Sequence, residues 1–457
     1  MTSIVFLAAI LGAPTVLGLP VAVHPSLKQL SLAARMSLAW TAGSLVLTMI
    51  LTVLSAMRLN WTMGWILLAC VIALATTSRL FTRSRAPASR DSNFLPHGLP
   101  FGFLALALVA VGGLFAFVFG VATSADLTYF WGTKGARFAL ERGIDFELLR
   151  QPYMIHLHPN YPPLWPVLLA WGAMIAGSMP WLAVPLLTWI CLTAAVVIIN
   201  SVLETRLDAR AAAVVACLWY AVLTTMMVTS FSGGNADGPL VLFLSVALVV
   251  ILTEPDDDSP TLRWLAAIAL AGAVFTKSEG AIAALLIGAG TAIRDLVRRR
   301  PAVFRKSVTL ITPAAVTAAL WVAVRLAHDL PLTDPIRERF FHISFEHAGL
   351  ILRVCARILI SGAVVVGWLV PLVSVLLIGG KGLTRSLPGA VTAIGTLVFA
   401  GAYYLHATSD PLQLIVWTFP RLIQPALSAW ILGLGVAVFS VTDEGAAETL
   451  LTQGSMR

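Results

Sequence analysis

Apolar runs close to the length that an α-helix needs to cross a bilayer, about 20 residues, recur along almost the whole chain. Their starts and stops predict helical spans near 3–24, 33–57, 60–80, 99–121, 180–203, 211–230, 238–253, 262–276, 280–296, 307–327, 358–379, 388–406 and 425–441. The fold class expected is therefore an all-α polytopic membrane protein with about thirteen transmembrane helices. One run, 163–178, is apolar but short, and counting it as a crossing would reverse every later loop. It is read as a half-buried or interfacial helix. With that parity "ETRLDAR", "EPDDDSPTLR" and "KGLTR" lie inside, and "FSGGNADG" and "TKSEG" lie outside.

Three long outer segments, 122–162, 328–357 and 407–424, are where function is expected. In the first, Leu127, Phe130, Trp131 and Phe138 recur at helical spacing, interrupted by Lys134 and Arg137. That pattern predicts a helix lying in the membrane interface. Phe341, Phe345, Arg353 and Arg357 repeat the theme in the second segment. The chain divides into N-terminal spans with a basic loop (1–98), a core with the first outer loop (99–300), C-terminal spans (301–441) and a short polar tail (442–457) expected to be disordered.

Composition strengthens this picture. The chain is 58% hydrophobic and 11% charged, against about 25% charged for a soluble domain, which excludes a single water-soluble core. The net charge of +8 does not point to a nucleic-acid partner, because the basic residues gather beside apolar spans. Arg79, Arg83, Arg85 and Arg90 form one cluster, and Arg294, Arg298, Arg299, Arg300, Arg305 and Lys306 form the other. Both are expected to face the cytoplasm, with the functional loops on the outer side of the cell's inner (plasma) membrane. Cys70, Cys191, Cys217 and Cys355 lie in or beside apolar runs without CxxC spacing, so neither a disulfide framework nor a zinc site is supported. The N-terminal run lacks a basic n-region and reads as a first helix rather than a cleaved signal.

Charge near membrane depth is costly, about 2.5 to 3.5 kcal/mol per residue on insertion scales, so each charged residue at an outer span end needs a reason. Six stand there: Asp126, Lys134, Asp237, Lys277, Glu279 and Arg421. One outer cavity gathering all six is the expectation. Asp126 can accept a proton from a hydroxyl nucleophile, or cap a helix within "TSADLTYF". Lys277 and Glu279 fall between two short apolar segments, with Gly280 permitting a turn; they can bind an anionic head group and a sugar hydroxyl, or form a structural pair at a hairpin. Asp237 in "GGNADGPL" can pair with a cation. Arg421 can clamp a phosphate through its planar fork, or anchor the chain at the interface beside Trp417. In "HLHPNYPPLWP" the HxH spacing lacks an accompanying carboxylate, which makes zinc a poor reading. Pro162 and Pro163 instead make a rigid approach to the next helix, aiming His158, Asn160 and Tyr161 at the outer cavity.

The succession "SADLTYFWGTKGARFAL", "HPNYPPLWP", "NADGPLVLFL", "FTKSEG" and "WTFPRLIQP" resembles the GT-C superfamily of membrane glycosyltransferases, over about residues 126–425. More narrowly it is similar to bacterial relatives of the protein mannosyltransferase and aminoarabinose transferase group. The resemblance implies a polyprenyl-phosphate sugar donor, an acceptor that is an envelope glycan, a lipid or a protein, and inversion at the anomeric carbon. It implies Asp126 as general base, and Lys277, Glu279 and Asp237 near the donor phosphate and sugar. It implies Arg421 near the lipid phosphate, and His158, Asn160 and Tyr161 at the donor site's mouth, Asn160 standing where relatives often have Asp. No cofactor is implied, and a divalent metal stays open because other superfamily members use one. The alternative is a transporter or flippase of lipid-linked saccharides, for which paired half-sequences are expected and none is seen.

Overall fold

The computed structural model describes residues 1–83, 99–120, 124–254, 260–332, 347–378, 383–406 and 411–454. Arg85 and Arg90, Asp256, Asp257 and Asp258, and Phe341 and Phe345 lie outside the described residues. Among the described residues all regular structure is helical: α1 (Thr2–Ala22), α2 (Leu32–Ala56), α3 (Met63–Arg83), α4 (Leu99–Gly120), α5 (Gly132–Glu141), α6 (Phe146–Arg150), α7 (Leu164–Ala176), α8 (Val184–Leu203), α9 (Ala209–Thr229), α10 (Asp237–Leu252), α11 (Pro260–Thr276), α12 (Ser278–Val297), α13 (Val303–Ala327), α14 (Ala348–Leu359), α15 (Gly362–Ile378), α16 (Leu383–His406), α17 (Pro411–Leu422) and α18 (Gln424–Gly454).

Each expected span coincides with a helix. Eight described helices are long and apolar enough to cross a membrane by themselves, or nine if the sharply bent pair α14 and α15 forms one span. One of the shorter apolar helices has a physical reason for its length. Helix α10 has 16 residues, so it is about 24 Å long against a hydrocarbon core of about 30 Å, yet every one of its residues is buried. Wrapped by α8, α11 and α18, it meets protein rather than lipid and need not match the bilayer.

Small residues allow close packing around this core, as expected where lipid supplies no hydrophobic drive between helices. Gly18 of α1 lies against the backbone of Ala39 in α2, and Gly43 of α2 lies against Pro14 of α1; any side chain there would force the pair apart.

Helix α7 has only 13 residues, and both its ends lie at the same end of the bundle. Trp165, in its first turn, donates to the Gly234 carbonyl at 2.8 Å, and Val184, at the start of α8, packs beside the same Gly234. The parity adopted from the sequence is thus the one the helices follow. Leu164 through Ala173 of this helix are all buried within the protein. In α5, Lys134 and Phe138, one turn apart, are both buried and pack towards α7. The polar tail is helical over its described residues, α18 continuing to Gly454, which its run "EGAAETLL" favours by intrinsic propensity.

Two charged clusters mark opposite ends of the bundle. At one end Arg263 pairs with Glu254 at 2.6 Å, and Arg294 pairs with Glu254 at 3.2 Å and Asp295 at 2.9 Å. These pairs tie α11 and α12 to the chain just beyond α10. Arg294, expected as part of a cytoplasmic basic cluster, is 2% exposed and serves inside this network. The other cluster lies where α10 and α12 begin and α9, α11 and α17 end.

Candidate active site

Asp126 sits just before a π-helical turn, Leu127–Trp131, that leads into α5. Its carboxylate makes no capping bond. Ser124 caps instead, its Oγ accepting from the Leu127 N–H at 3.0 Å, which leaves Asp126 for another partner. That partner is Arg421, near the end of α17, whose Nη1 donates to Asp126 Oδ2 at 2.5 Å while its Nε donates to Asp237 Oδ2 at 2.7 Å.

Asp237 opens α10 and is 2% exposed. Its other oxygen accepts from Lys277 Nζ at 2.9 Å. Lys277 is the single extended residue between α11 and α12, with φ −159° and ψ 151°, and its Nζ also lies 3.3 Å from Glu279 Oε1. The break between two short helices was legible; the role assigned to Gly280 was not. Gly280 is needed because it packs against the Ala273 backbone of α11, and no left-handed turn occurs there.

Five of the six expected charges therefore form one chain of contacts: Asp126, Arg421, Asp237, Lys277 and Glu279. All but Asp237 line a cavity of about 760 Å³, joined by His158 and Tyr161. Asp237 stands behind the wall, holding both cations. The lining also includes the apolar Phe399, Leu414, Val416 and Trp417. Trp417 is 67% exposed on the outside of the bundle.

Lys134 and Asn160 are not in this cavity. Lys134 Nζ lies 4.6 Å from the Trp131 ring centre and donates to the His158 carbonyl at 3.5 Å. Burial pushes its ammonium down to about 7, since nothing anionic repays the lost hydration. The Asn160 carbonyl accepts from Trp321 Nε1 at 3.1 Å, so Asn160 fastens the outer segment to α13. The proline-rich stretch is held by stacking: His158 lies on Tyr161 at 4.8 Å between ring centres, Tyr161 on Trp131 at 5.7 Å, and Phe130 meets His158 edge-on at 4.9 Å. His158 has φ +49°, a left-handed conformation uncommon outside glycine, which this packing holds in place.

Sequence reasoning missed Ser124, Ser230 and Asn235, which also line the cavity. Each is uncharged and carries no cost signal of the kind that exposed the five. The only available hint was position, because Ser124 and Asn235 each stand two residues before an acid already singled out. Among the described residues no group of three or more His, Cys, Asp and Glu side chains has the arrangement of a metal site.

The deciding comparison is with known families. Residues 160–328 match the family described as dolichyl-phosphate-mannose-protein mannosyltransferase. This mannosyltransferase match bears out the GT-C resemblance and supports a membrane glycosyltransferase of the GT-C type. The matched segment contains Tyr161, Asp237, Lys277 and Glu279, whereas Asp126 and Arg421 lie on either side of it and reach it only through the fold. No curated protein and no solved structure matches the chain.

Proposed function

We propose that this protein transfers a sugar from a polyprenyl-phosphate donor to an envelope glycan, lipid or protein acceptor, on the outer face of the inner (plasma) membrane and with inversion. The observation that carries the reading is the Arg421 bridge between Asp126 and Asp237 on the wall of a cavity lined by both charged and apolar side chains. A lipid-linked sugar phosphate combines the same two chemistries. Its prenyl chain would lie towards Trp417 and the bilayer, and its phosphate and sugar towards Lys277 and Arg421.

In the step proposed, an acceptor hydroxyl oxygen bonds to the anomeric carbon as the bond from that carbon to the phosphate oxygen breaks. The bonding pair leaves with the polyprenyl phosphate, and the hydroxyl proton passes to Asp126. Arg421 and Lys277 stabilise the charge growing on the leaving phosphate. The ion pair gives this order of events a logic. A phosphate arriving on Arg421 competes with Asp126 for the same guanidinium, loosening the carboxylate as the substrate it must deprotonate is assembled. Asp237 stays behind the wall and keeps both cations aimed. Glu279, with Oε2 unpaired by protein, is suited to a sugar hydroxyl, and His158 and Tyr161 border the sugar. Lys134 and Asn160 support the outer segment from beneath.

The test is mass analysis of envelope glycans, lipids and glycoproteins from cells with and without the gene. Loss of one sugar substituent, restored by the wild-type gene but not by Asp126→Asn, is expected. An unchanged sugar inventory in all three fractions contradicts the reading.

A further inference from the structure

Ser124 and Asn235 repeat the relationship of Asp126 and Asp237 one step back along each segment. The acids are bridged by Arg421, and the polar residues bond directly, Ser124 Oγ donating to Asn235 Oδ1 at 2.5 Å. The start of the first outer segment is thus fastened to the start of α10 at two neighbouring points.

The satisfied atoms show what remains. Asn235 is 1% exposed, its backbone N–H donates to the Ser232 carbonyl at 3.1 Å, and its Oδ1 holds the Ser124 proton. Ser124 Oγ is itself fixed by the Leu127 N–H, so the carboxamide is oriented by a bonded oxygen. The amide nitrogen carries two N–H donors and meets no protein acceptor among the described residues, on a side chain that lines the cavity. A donor left over on a side chain fixed by its oxygen and lining a cavity is open to an acceptor bound there.

We infer that Asn235 Nδ2 is a neutral hydrogen-bond donor to a phosphoryl oxygen of the lipid-phosphate donor, an inference that rests on the transferase reading. Phosphate is the matching ligand chemistry because its unesterified oxygens only accept. Sugar hydroxyls are served equally well by the carboxylates of Asp126 and Glu279. The charge balance gives such a donor a purpose: the two cations face three carboxylates. A neutral N–H strengthens the hold on an anion without requiring another counter-charge.

The variants separate fastening from binding. Asn235→Asp keeps an oxygen for Ser124 and loses the N–H donor; Asn235→Ala loses both. Binding of a polyprenyl monophosphate and of the matching uncharged polyprenol is measured on the full-length protein in nanodiscs. Wild type is expected to prefer the phosphate. Both variants should weaken phosphate binding by about tenfold or more, Asn235→Asp the more, and leave polyprenol binding unchanged. Wild-type phosphate preference in Asn235→Asp overturns the inference and leaves the transferase reading standing. If Asn235→Asp binds neither lipid, Asn235→Ala decides, and an undiminished preference in it overturns the inference. No preference in wild type removes the transferase reading and the inference together.

Discussion

Arg421 Nη1 lies 2.5 Å from Asp126 Oδ2 across 295 positions of sequence. The proposed base and the proposed phosphate clamp thus share a hydrogen bond before any substrate arrives. Asp126→Asn keeps an oxygen for Arg421 and loses the capacity to take a proton. Turnover should fall by about 10² or more, with binding of polyprenyl monophosphate near wild type. Near wild-type transfer by a well-folded Asp126→Asn protein would reduce Asp126 to a partner for Arg421.

Asp237 should behave differently, because both its oxygens are committed inside the protein. Asp237→Ala leaves Lys277 and Arg421 without their shared buried counter-charge. We expect a stability loss of about 3 kcal/mol or more, read as a lower melting temperature in detergent. Asp126→Ala, at a side chain 25% exposed, should lose clearly less. Equal melting of the two variants would contradict the positioning role given to Asp237.

Arg421 uses two nitrogens in two directions, a geometry that one ammonium cannot copy. Arg421→Lys should therefore recover only part of the activity lost in Arg421→Ala, although the charge is restored. Transfer rates at saturating donor distinguish the cases. Full recovery in Arg421→Lys would show that charge alone is required.

Lys134 supplies a pH signature outside the cavity. Its folded-state value, about 7, lies below its ordinary value of 10.5 because of burial. Between these values the unfolded chain binds more protons than the folded one, so stability rises with pH across about 7 to 10.5. Below about 7 both states are charged and the full burial penalty applies. Lys134→Met should flatten the rise of melting temperature with pH in that window and melt higher than wild type near pH 6. An unchanged pH slope would show that Lys134 does not carry this penalty.

The sequence exposed elements whose cost is high and missed those whose cost is hidden. Every span from 3–24 to 425–441 met a helix, because a long apolar run in a chain this poor in charge has few other uses. What it did not reveal was that α10 is sheathed by protein along its whole length, since apolar side chains look alike facing lipid or helix. Asp126, Asp237, Lys277, Glu279 and Arg421 stood out as charges at span ends and do converge. Lys134 stood out for the same reason and does not join them, because the pitch of α5 turns it under the His158 carbonyl. Ser124 and Asn235 gave no such signal.

The central claim, that the cavity beside Arg421 moves sugar off a lipid phosphate, is tested most directly by a single-turnover assay. Labelled polyprenyl-phosphate sugars are presented to purified protein in vesicles with an extract of native envelope acceptors, and release of free polyprenyl phosphate is followed with sugar transfer. The account predicts coupled release and transfer by wild type, reduced by about 10² or more in both Lys277→Ala and Arg421→Ala. Normal transfer by both variants would mean that the phosphate is held elsewhere and would contradict the site described here.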